Sequence, residues 1–437
     1  MKSIIKQLFL LFILNLTFAF LIKGITNSFG LNGNEMALNH ANRLFTDEID
    51  QDSWKPMGRA FAYWEESHGQ ILIYTDLLIK KNIKFQYPPT ALLISKIIKV
   101  NHISILEFST ITTFVFMFLM ILGTVRLTFY SYKEYEAPPL SVTENIAVGV
   151  LLTCLFFTFY PIVKAGTLGQ IQVWLNAVFA IAILCYIAGY EIMAGILLGI
   201  MASIKPQYAL FVVWGMFRGN KQLVFTMILT GSLGLLLGIR EFGFATYVDY
   251  LRGLSYLANH GESFYPNQSV NGLVGRLLSV RYPDLFNNTE WRAHYFPPYN
   301  IWVSTFTQIT SIAILLIALI KGKSQGKEAH VADFCLMGLA ATMASPIAWE
   351  HHYGILFPIF ACLWLILWFG DSPLKSIWAK ITFVSCYLIA ANVIPFAKLL
   401  EGSYLNILQS YLFFAASGVF ILLMLIKHRF TPPGRNA

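Results

Sequence analysis

The run Ser345-Pro346-Ile347-Ala348-Trp349-Glu350-His351-His352-Tyr353 lies where one long apolar segment ends and the next begins. It brings one carboxylate and two imidazoles to the ends of hydrophobic runs. A charged side chain at the centre of a bilayer costs about 2.5–3.5 kcal/mol or more, so such clusters lie at helix ends or face a polar cavity. The run therefore predicts a water-accessible site at one face of a membrane.

The composition around this run is that of an integral membrane protein. Of the 437 residues, 56% are hydrophobic and only 12% are charged, which is about half the charged share of soluble domains. Several apolar segments approach or exceed the length of about 18 residues that a membrane span needs, and they are continuous rather than alternating. We therefore predict an all-α, polytopic membrane protein with a single integral membrane domain, residues 1–437.

Twelve apolar segments are predicted as transmembrane helices, at about 7–22, 107–128, 144–163, 171–189, 191–204, 207–217, 223–240, 299–320, 331–348, 353–369, 377–396 and 405–426. The first is expected to be an uncleaved span, because no small-residue cleavage site follows it. The pair 191–204 and 207–217 is ambiguous: each segment is short, and Pro206 could instead kink a single helix.

Loop charge favours twelve segments over eleven. With twelve, one face receives Lys2, Lys6, Arg126, Lys133, Arg218, Lys221, Lys321, Lys323, Lys327, Lys375, Lys380, Lys427 and Arg429. The positive-inside rule makes that face, and both termini, cytoplasmic. It also explains the net charge of +8 without a nucleic-acid partner. The outer face then receives two long loops, 23–106 and 241–298, together with Glu350-His351-His352.

Both outer loops are rich in aromatic residues, which predicts short amphipathic helices that roof a site rather than disordered linkers. The first loop contains several acids, and general-base catalysis needs one carboxylate beside a reacting hydroxyl, although loop acids are more often simply solvated. These acids are Asp47, Glu48, Asp50, Asp52, Glu65, Glu66 and Asp76.

Other outer-face features suit an anion. Lys205 lies between two apolar segments, where a lysine either meets an anion such as phosphate or snorkels to the interface. Gln170 follows Gly169 at a helix start, where free backbone N–H groups attract anions. His351 and His352 lie about 100° apart on a helix, so one of them can face a site. Adjacent histidines lack the i, i+4 spacing of a zinc pair, and no nucleotide motif is present, so no metal or cofactor is predicted.

The order of these motifs resembles glycosyltransferase family 87, the polyprenyl-phosphate-mannose-dependent mannosyltransferase-like proteins of GT-C architecture. The resemblance covers roughly residues 45–370. It rests on Asp52-Ser53-Trp54, Gly69, Tyr74, Phe85-Gln86-Tyr87-Pro88-Pro89, Gly169-Gln170, Ala194-Gly195 with Gly199 and Lys205-Pro206, Asn267-Gln268-Ser269 with Gly272 and Arg276, and Ser345-Pro346 with Trp349 and His351-His352. The spacing from acid to glycine in the first loop exceeds the family's by a few residues, which leaves Asp50 and Asp47 as alternatives to Asp52.

The resemblance implies an inverting transfer of a sugar, with mannose expected, from a polyprenyl-phosphate donor to an acceptor hydroxyl at the outer face of the cell membrane. The acceptor would be a glycolipid or polysaccharide. Asp52 would be the general base. The donor phosphate would meet Lys205, His351, His352, Arg276 and Gln170, and the sugars would meet Tyr87, Asn267, Gln268 and Trp349.

Two other functions stay open on sequence grounds. A transporter or flippase of a lipid-linked anionic substrate would also need charged groups between apolar segments. However, the charged candidates here cluster at one face, and two large outer loops have no role in alternating access. A non-catalytic membrane subunit would tolerate replacement of every first-loop carboxylate.

Overall fold

The computed structural model describes residues 3–135, 138–286, 296–320, 326–370 and 376–428. In these ranges the chain forms helices and no β-strand, which confirms the predicted all-α class. Four of the basic residues assigned to loops, Lys321, Lys323, Lys375 and Arg429, lie outside the described residues, as does Lys2.

Eighteen α-helices are present in the described ranges. They are α1 Ser3–Ser28, α2 Ala37–Thr46, α3 Trp54–Glu66, α4 Leu92–Val100, α5 Ile105–Glu134, α6 Val142–Phe157, α7 Tyr160–Thr167, α8 Gln172–Ile187, α9 Glu191–Ile204, α10 Leu210–Arg218, α11 Lys221–Phe242, α12 Phe244–His260, α13 Val270–Ser279, α14 Ile301–Leu319, α15 Lys327–Met343, α16 Leu356–Trp368, α17 Ile377–Ala390 and α18 Tyr411–His428.

Every predicted apolar segment overlaps one or two of these helices, and the chain is a multi-pass membrane protein. Within the described residues, six helical stretches are long and apolar enough to cross a bilayer, or seven if α6 and α7 form one bent span. The helices α8, α9 and α17 are apolar but shorter. The total of twelve spans therefore stays a prediction. The centre of the bundle is formed by α15 and α16, whose residues are almost all buried.

The segment predicted at 144–163 is not one helix, because the chain bends by 65° between α6 and α7. A break inside a membrane protein frees backbone groups that neighbouring elements must satisfy. Here the Thr158 carbonyl accepts a hydrogen bond from Asn15 Nδ2 at 3.1 Å, and the Tyr160 N–H donates to the Ala391 carbonyl at 3.0 Å. Asn392 Nδ2 in turn donates to Asn15 Oδ1 at 2.8 Å. Buried asparagines thus stabilise the bend that places α7 at the site.

The ambiguous pair 191–204 and 207–217 is resolved as two helices. The chain leaves α9 at Lys205 in an extended conformation, and Pro206 opens a short 3₁₀ turn before α10. Gly195 and Gly199 let α9 approach α11, since a Cβ on Gly199 would come within 2.7 Å of Thr230 Cβ and a Cβ on Gly195 would overlap Thr226 Oγ1. This glycine spacing therefore allows close packing of the two helices.

A buried ionic cluster joins four helices at the end of the bundle that loop charge predicts to be cytoplasmic. Asp333 of α15 accepts hydrogen bonds from Arg218 Nε at 2.5 Å and from Lys427 Nζ at 2.7 Å. Arg218 also donates to the Leu319 carbonyl of α14 at 3.0 Å. These two basic residues were predicted to share one face, and they meet at the same carboxylate.

The other ends of α10 and α15 face the two long outer loops. The described parts of both loops are folded: 23–106 contributes α2, α3 and α4, and 241–298 contributes α12 and α13. The expected short helices in the loops are therefore present. Leu210 of α10 and Ala341 of α15 line a cavity beneath these loops. Each lies about two helical turns from the residue of the ionic cluster on the same helix.

Replacing Asp333 with Ala is expected to lower the melting temperature of the detergent-solubilised protein by several degrees, because removing one partner leaves two buried cations uncompensated, at a cost of about 3 kcal/mol or more. Glu134→Ala is the matched control, since its partner Lys327 is exposed and a surface ion pair contributes little. Equal melting shifts in the two variants would contradict the assigned role of the cluster.

Candidate active site

The cavity beneath the outer loops has a volume of about 860 Å³. Seven of the ten predicted site residues line it, although they come from distant parts of the sequence. They are Asp52, Tyr87, Gln170, Lys205, Trp349, His351 and His352. Within the described ranges, no three His, Cys, Asp or Glu side chains converge into a cluster that could hold a metal ion.

Asp52 is fixed by the turn that follows α7. Its backbone N–H donates to the Leu168 carbonyl at 3.0 Å, and its carboxylate accepts a hydrogen bond from Gln170 Nε2. Ser53 Oγ donates to Gln170 Oε1 at 2.7 Å and lies 2.9 Å from Tyr87 Oη, so the amide of Gln170 is oriented with its nitrogen toward Asp52. The carboxylate of Asp52 is therefore held at a defined point of the cavity wall.

Gly169 makes this close approach possible. It adopts φ +61°, a left-handed conformation that favours glycine, and a Cβ there would overlap the Asp50 carbonyl oxygen. The Asp50 N–H donates to the Thr167 carbonyl at 3.0 Å on the same turn. The Gly169-Gln170 pair thus works as a docking turn for the first outer loop.

The electrostatic setting of Asp52 suits proton acceptance. Its side chain is exposed to the cavity but surrounded by protein, and this burial raises the pKa of the carboxyl above its usual value. The neighbouring Asp50 carboxylate raises the pKa of Asp52 further, while the hydrogen bond from Gln170 opposes the shift. A carboxylate with a raised pKa is a stronger base than an ordinary aspartate.

Lys205 provides a buried cation across the cavity. Its Nζ donates to Gln172 Oε1 at 2.7 Å and lies 2.8 Å from His352 Nε2. When Lys205 is charged, its ammonium group only donates, so His352 then accepts with Nε2 and carries its proton on Nδ1. No carboxylate in the described ranges forms an ion pair with Lys205, and its hydrogen-bond partners there are the neutral side chains of Gln172 and His352. A buried cation in that condition favours an anionic ligand.

His351 and Glu350 complete this side of the site. No hydrogen-bond partner among the described residues reaches His351 Nε2, although the side chain is almost fully buried and lines the cavity. The Glu350 carboxylate accepts hydrogen bonds from Tyr160 Oη at 3.2 Å and Tyr411 Oη at 2.9 Å. These contacts fasten the short 3₁₀ turn Glu350–Ile355 to α7 and α18.

Three predicted contact residues do not reach the cavity. Arg276 is fully buried, which lowers its pKa to about 9, and it donates to the Asn267 carbonyl at 3.0 Å and to Ser410. Asn267 donates to the Pro346 carbonyl at 3.1 Å and accepts from the Ala348 N–H at 2.9 Å, while Gln268 N–H donates to the Ala348 carbonyl at 2.7 Å. In this structure they brace the loop that carries Trp349 and His351 instead of contacting a ligand.

Sequence reasoning missed four charged residues of the cavity wall, Glu35, Arg59, Lys84 and Lys164, and assigned no role to Glu350. Glu35 follows the first span and carried no motif. Lys164 directly follows the apolar segment 144–163, and no role was assigned to it. Its position at the site depends on the bend before α7, and only the adjacent Pro161 hinted at that bend.

The helical bundle, the two folded outer loops and a cavity that combines a carboxylate with a buried cation define a membrane-embedded enzyme of group transfer. Comparison with protein families agrees: the model of Glycosyltransferase family 87 matches residues 85–346, more than half of the chain. The protein belongs to glycosyltransferase family 87. The match includes Tyr87, Gln170 and Lys205, whereas Asp52 and the two histidines lie outside it. A search of curated proteins gives no match.

Gly169→Ala is expected to reduce both the thermal stability and the activity of the protein, because the methyl group would push the Asp50–Asp52 segment off its turn. A strained left-handed residue alone costs about 1–3 kcal/mol. Gly189→Ala is the matched control, with a similar φ of +81° and no atom within 4 Å of the added Cβ. Melting curves and transfer assays of both variants would test this, and equal behaviour would exclude a special role for the docking turn.

Proposed function

We propose that this glycosyltransferase moves a sugar, with mannose the expected one, from a polyprenyl-phosphate donor to a hydroxyl of a glycolipid or polysaccharide acceptor. The observation that carries the proposal is the placement of Asp52 in one cavity with Lys205, His351 and His352. Such a cavity can hold an anionic leaving group and accept a proton in the same reaction.

The apolar part of the cavity wall supports a lipid-linked donor. Aliphatic side chains from α9, α10, α12, α14 and the loop before the 3₁₀ turn line the same space as the charged groups. They are Ile204, Leu210, Leu254, Leu257, Leu315 and Ile347. An isoprenoid chain can bury apolar surface there while its phosphate meets Lys205.

In the proposed mechanism, the acceptor hydroxyl attacks the anomeric carbon of the donor sugar while Asp52 takes its proton. The new glycosidic C–O bond forms as the bond between the anomeric carbon and the phosphate oxygen breaks. The electron pair of that bond leaves with the polyprenyl phosphate, which gains negative charge. A single displacement of this kind inverts the configuration at the anomeric carbon.

Lys205 stabilises the developing phosphate charge, with the unpartnered Nε2 of His351 and the ring of His352 available for hydrogen bonds. Tyr87 and Trp349 are placed to contact sugar. Gln170 orients Asp52 instead of holding the phosphate, and Arg276, Asn267 and Gln268 position the loop before the histidines. In this proposal, these four residues position the site and do not contact the ligand directly.

The outer face is the proposed location of the reaction. The cavity and the Asp333 cluster lie toward opposite ends of α10 and α15, and the cluster carries two of the basic residues expected in the cytoplasm. Family membership leaves no support for the transporter alternative. A non-catalytic role would not require the hydrogen-bonded setting of Asp52.

Asp52→Asn is expected to reduce transfer from a radiolabelled polyprenyl-phosphate sugar by about 10²–10⁴-fold, because an amide cannot accept the acceptor proton. Expression and melting temperature should stay near those of the unmodified protein. Asp47→Asn is the control, since Asp47 is an exposed acid of the same loop paired with Arg43. Full activity of the Asp52 variant, or loss in the Asp47 variant instead, would assign the base elsewhere.

The rate should fall as the pH decreases through the pKa of Asp52, because only the ionised carboxylate accepts a proton. Since that pKa is raised, the fall should occur at a higher pH than for an ordinary aspartate. Asp50→Asn removes a neighbouring negative charge, so the acidic limb of the pH–rate profile should move to lower pH. A limb that stays in place, or moves to higher pH, would count against Asp52 as the titrating base.

A further inference from the structure

A second carboxylate of the cavity, Glu35, has no role in the mechanism above. It closes the short 3₁₀ turn Gly33–Glu35 after α1 and lines the cavity with 44% of its side chain exposed. It lies outside the segment matched by the family model, which begins at residue 85. Its exposed carboxylate can therefore contact a ligand in the cavity.

Two side chains contact the carboxylate of Glu35, His40 of α2 and Lys164 of α7. His40 Nε2 lies 3.4 Å from Glu35 Oε2, and Lys164 Nζ lies 3.8 Å from the same oxygen. His40 Nδ1 lies 3.1 Å from Thr167 Oγ1. Burial lowers the pKa of His40, and a neutral ring with its proton on Nε2 donates to Glu35.

These contacts keep Glu35 ionised and oriented. The hydrogen bond from His40, with help from the charge of Lys164, lowers the pKa of Glu35 to about 2. An ionised carboxylate has only acceptor atoms, so a ligand here must donate hydrogen bonds. The ammonium group of Lys164 already compensates the negative charge, and this favours neutral hydroxyl donors over a cationic ligand.

Glu35 and Asp52 are attached to the same turn of the chain. Lys164 contacts Glu35 directly, and Thr167 contacts it through His40. Leu168 and Gln170 form hydrogen bonds with Asp52. The group that Asp52 deprotonates is a hydroxyl of the acceptor. A fixed acceptor of hydrogen bonds on the same turn is suited to a neighbouring part of the same molecule.

We propose that Glu35 forms the acceptor subsite: it binds hydroxyl groups of a neutral sugar and so selects a saccharide as the acceptor. This inference rests on the proposed function and identifies a residue that binds its second substrate, the acceptor. Glu35 is a binding and specificity residue in this scheme, and Asp52 remains the base.

The test uses octyl glycosides of mannose, glucose and galactose as acceptor probes, with a polyprenyl-phosphate sugar as donor. For the best probe, Glu35→Gln should raise the acceptor KM about tenfold or more, since hydrogen bonds to charged groups contribute strongly. The donor KM should not change, and kcat should stay within about threefold. Glu48→Gln, an exposed acid of the same loop, is the control and should behave like the unmodified protein.

A monodeoxy series of the best probe gives a second, independent reading. Removal of the hydroxyl that contacts Glu35 should weaken binding to the unmodified protein but have little further effect on Glu35→Gln. An unchanged acceptor KM in the variant, or a raised donor KM instead, would overturn the subsite. A merely structural role of Glu35 would lower the melting temperature without this dependence on one hydroxyl.

Binding of the octyl glycosides to protein without donor separates this inference from the proposed function. If Glu35→Gln weakens glycoside binding while no polyprenyl-phosphate sugar supports transfer, the subsite stands and the proposed donor class is wrong. If transfer proceeds and neither glycoside binding nor acceptor KM responds to Glu35→Gln, the proposed function stands and the subsite is wrong.

Discussion

The cost of placing polar and charged groups in a bilayer governs the whole arrangement of this protein. Such groups must pair, reach water or line a cavity. The chain uses each solution: Asp333 pairs with two cations at one end, buried asparagines satisfy the bend before α7, and several other ionisable groups, Asp52 and Lys205 among them, line one cavity at the other end. Lys205 differs from the two cations of the Asp333 cluster, because its hydrogen-bond partners in the described ranges are neutral groups. Under the proposed function, the donor phosphate supplies the missing negative charge.

The turn after α7 connects the fold to the chemistry. It fixes Asp52 through backbone and side-chain hydrogen bonds, it carries Lys164 beside Glu35, and it depends on a glycine that no larger residue can replace without overlap. The part of the first loop that carries Asp52 is thereby docked onto a turn that is 118 residues away in sequence. The 3₁₀ turn Glu350–Ile355 is fastened in the same manner from the opposite side of the cavity. Two short turns thus set the geometry between the proposed base and the proposed phosphate site.

Much of this could be predicted from sequence. Continuous apolar runs gave the helical class, and isolated polar motifs such as Gly169-Gln170, Lys205-Pro206 and His351-His352 pointed to the cavity, because polar groups are rare and costly in such a chain. The bend between α6 and α7 could not be predicted, since it depends on Asn15 and Asn392 from remote parts of the chain. Lys164 was missed for this reason, and Glu35 was missed because it belongs to no motif. Arg276, Asn267 and Gln268 were given ligand contacts, because a motif alone does not distinguish a residue that touches a ligand from one that braces the loop beside it.

A cryo-EM structure of the protein in lipid nanodiscs with bound polyprenyl phosphate would test whether one cavity serves both halves of the reaction. The phosphate should lie within hydrogen-bonding distance of Lys205 Nζ and the imidazole of His351 or His352. The first isoprene units should follow the aliphatic wall of Ile204, Leu254 and Leu315, and the open space above the phosphate should face Asp52. A phosphate bound outside this cavity, or on the side of the bundle that carries Asp333, would contradict the mechanism.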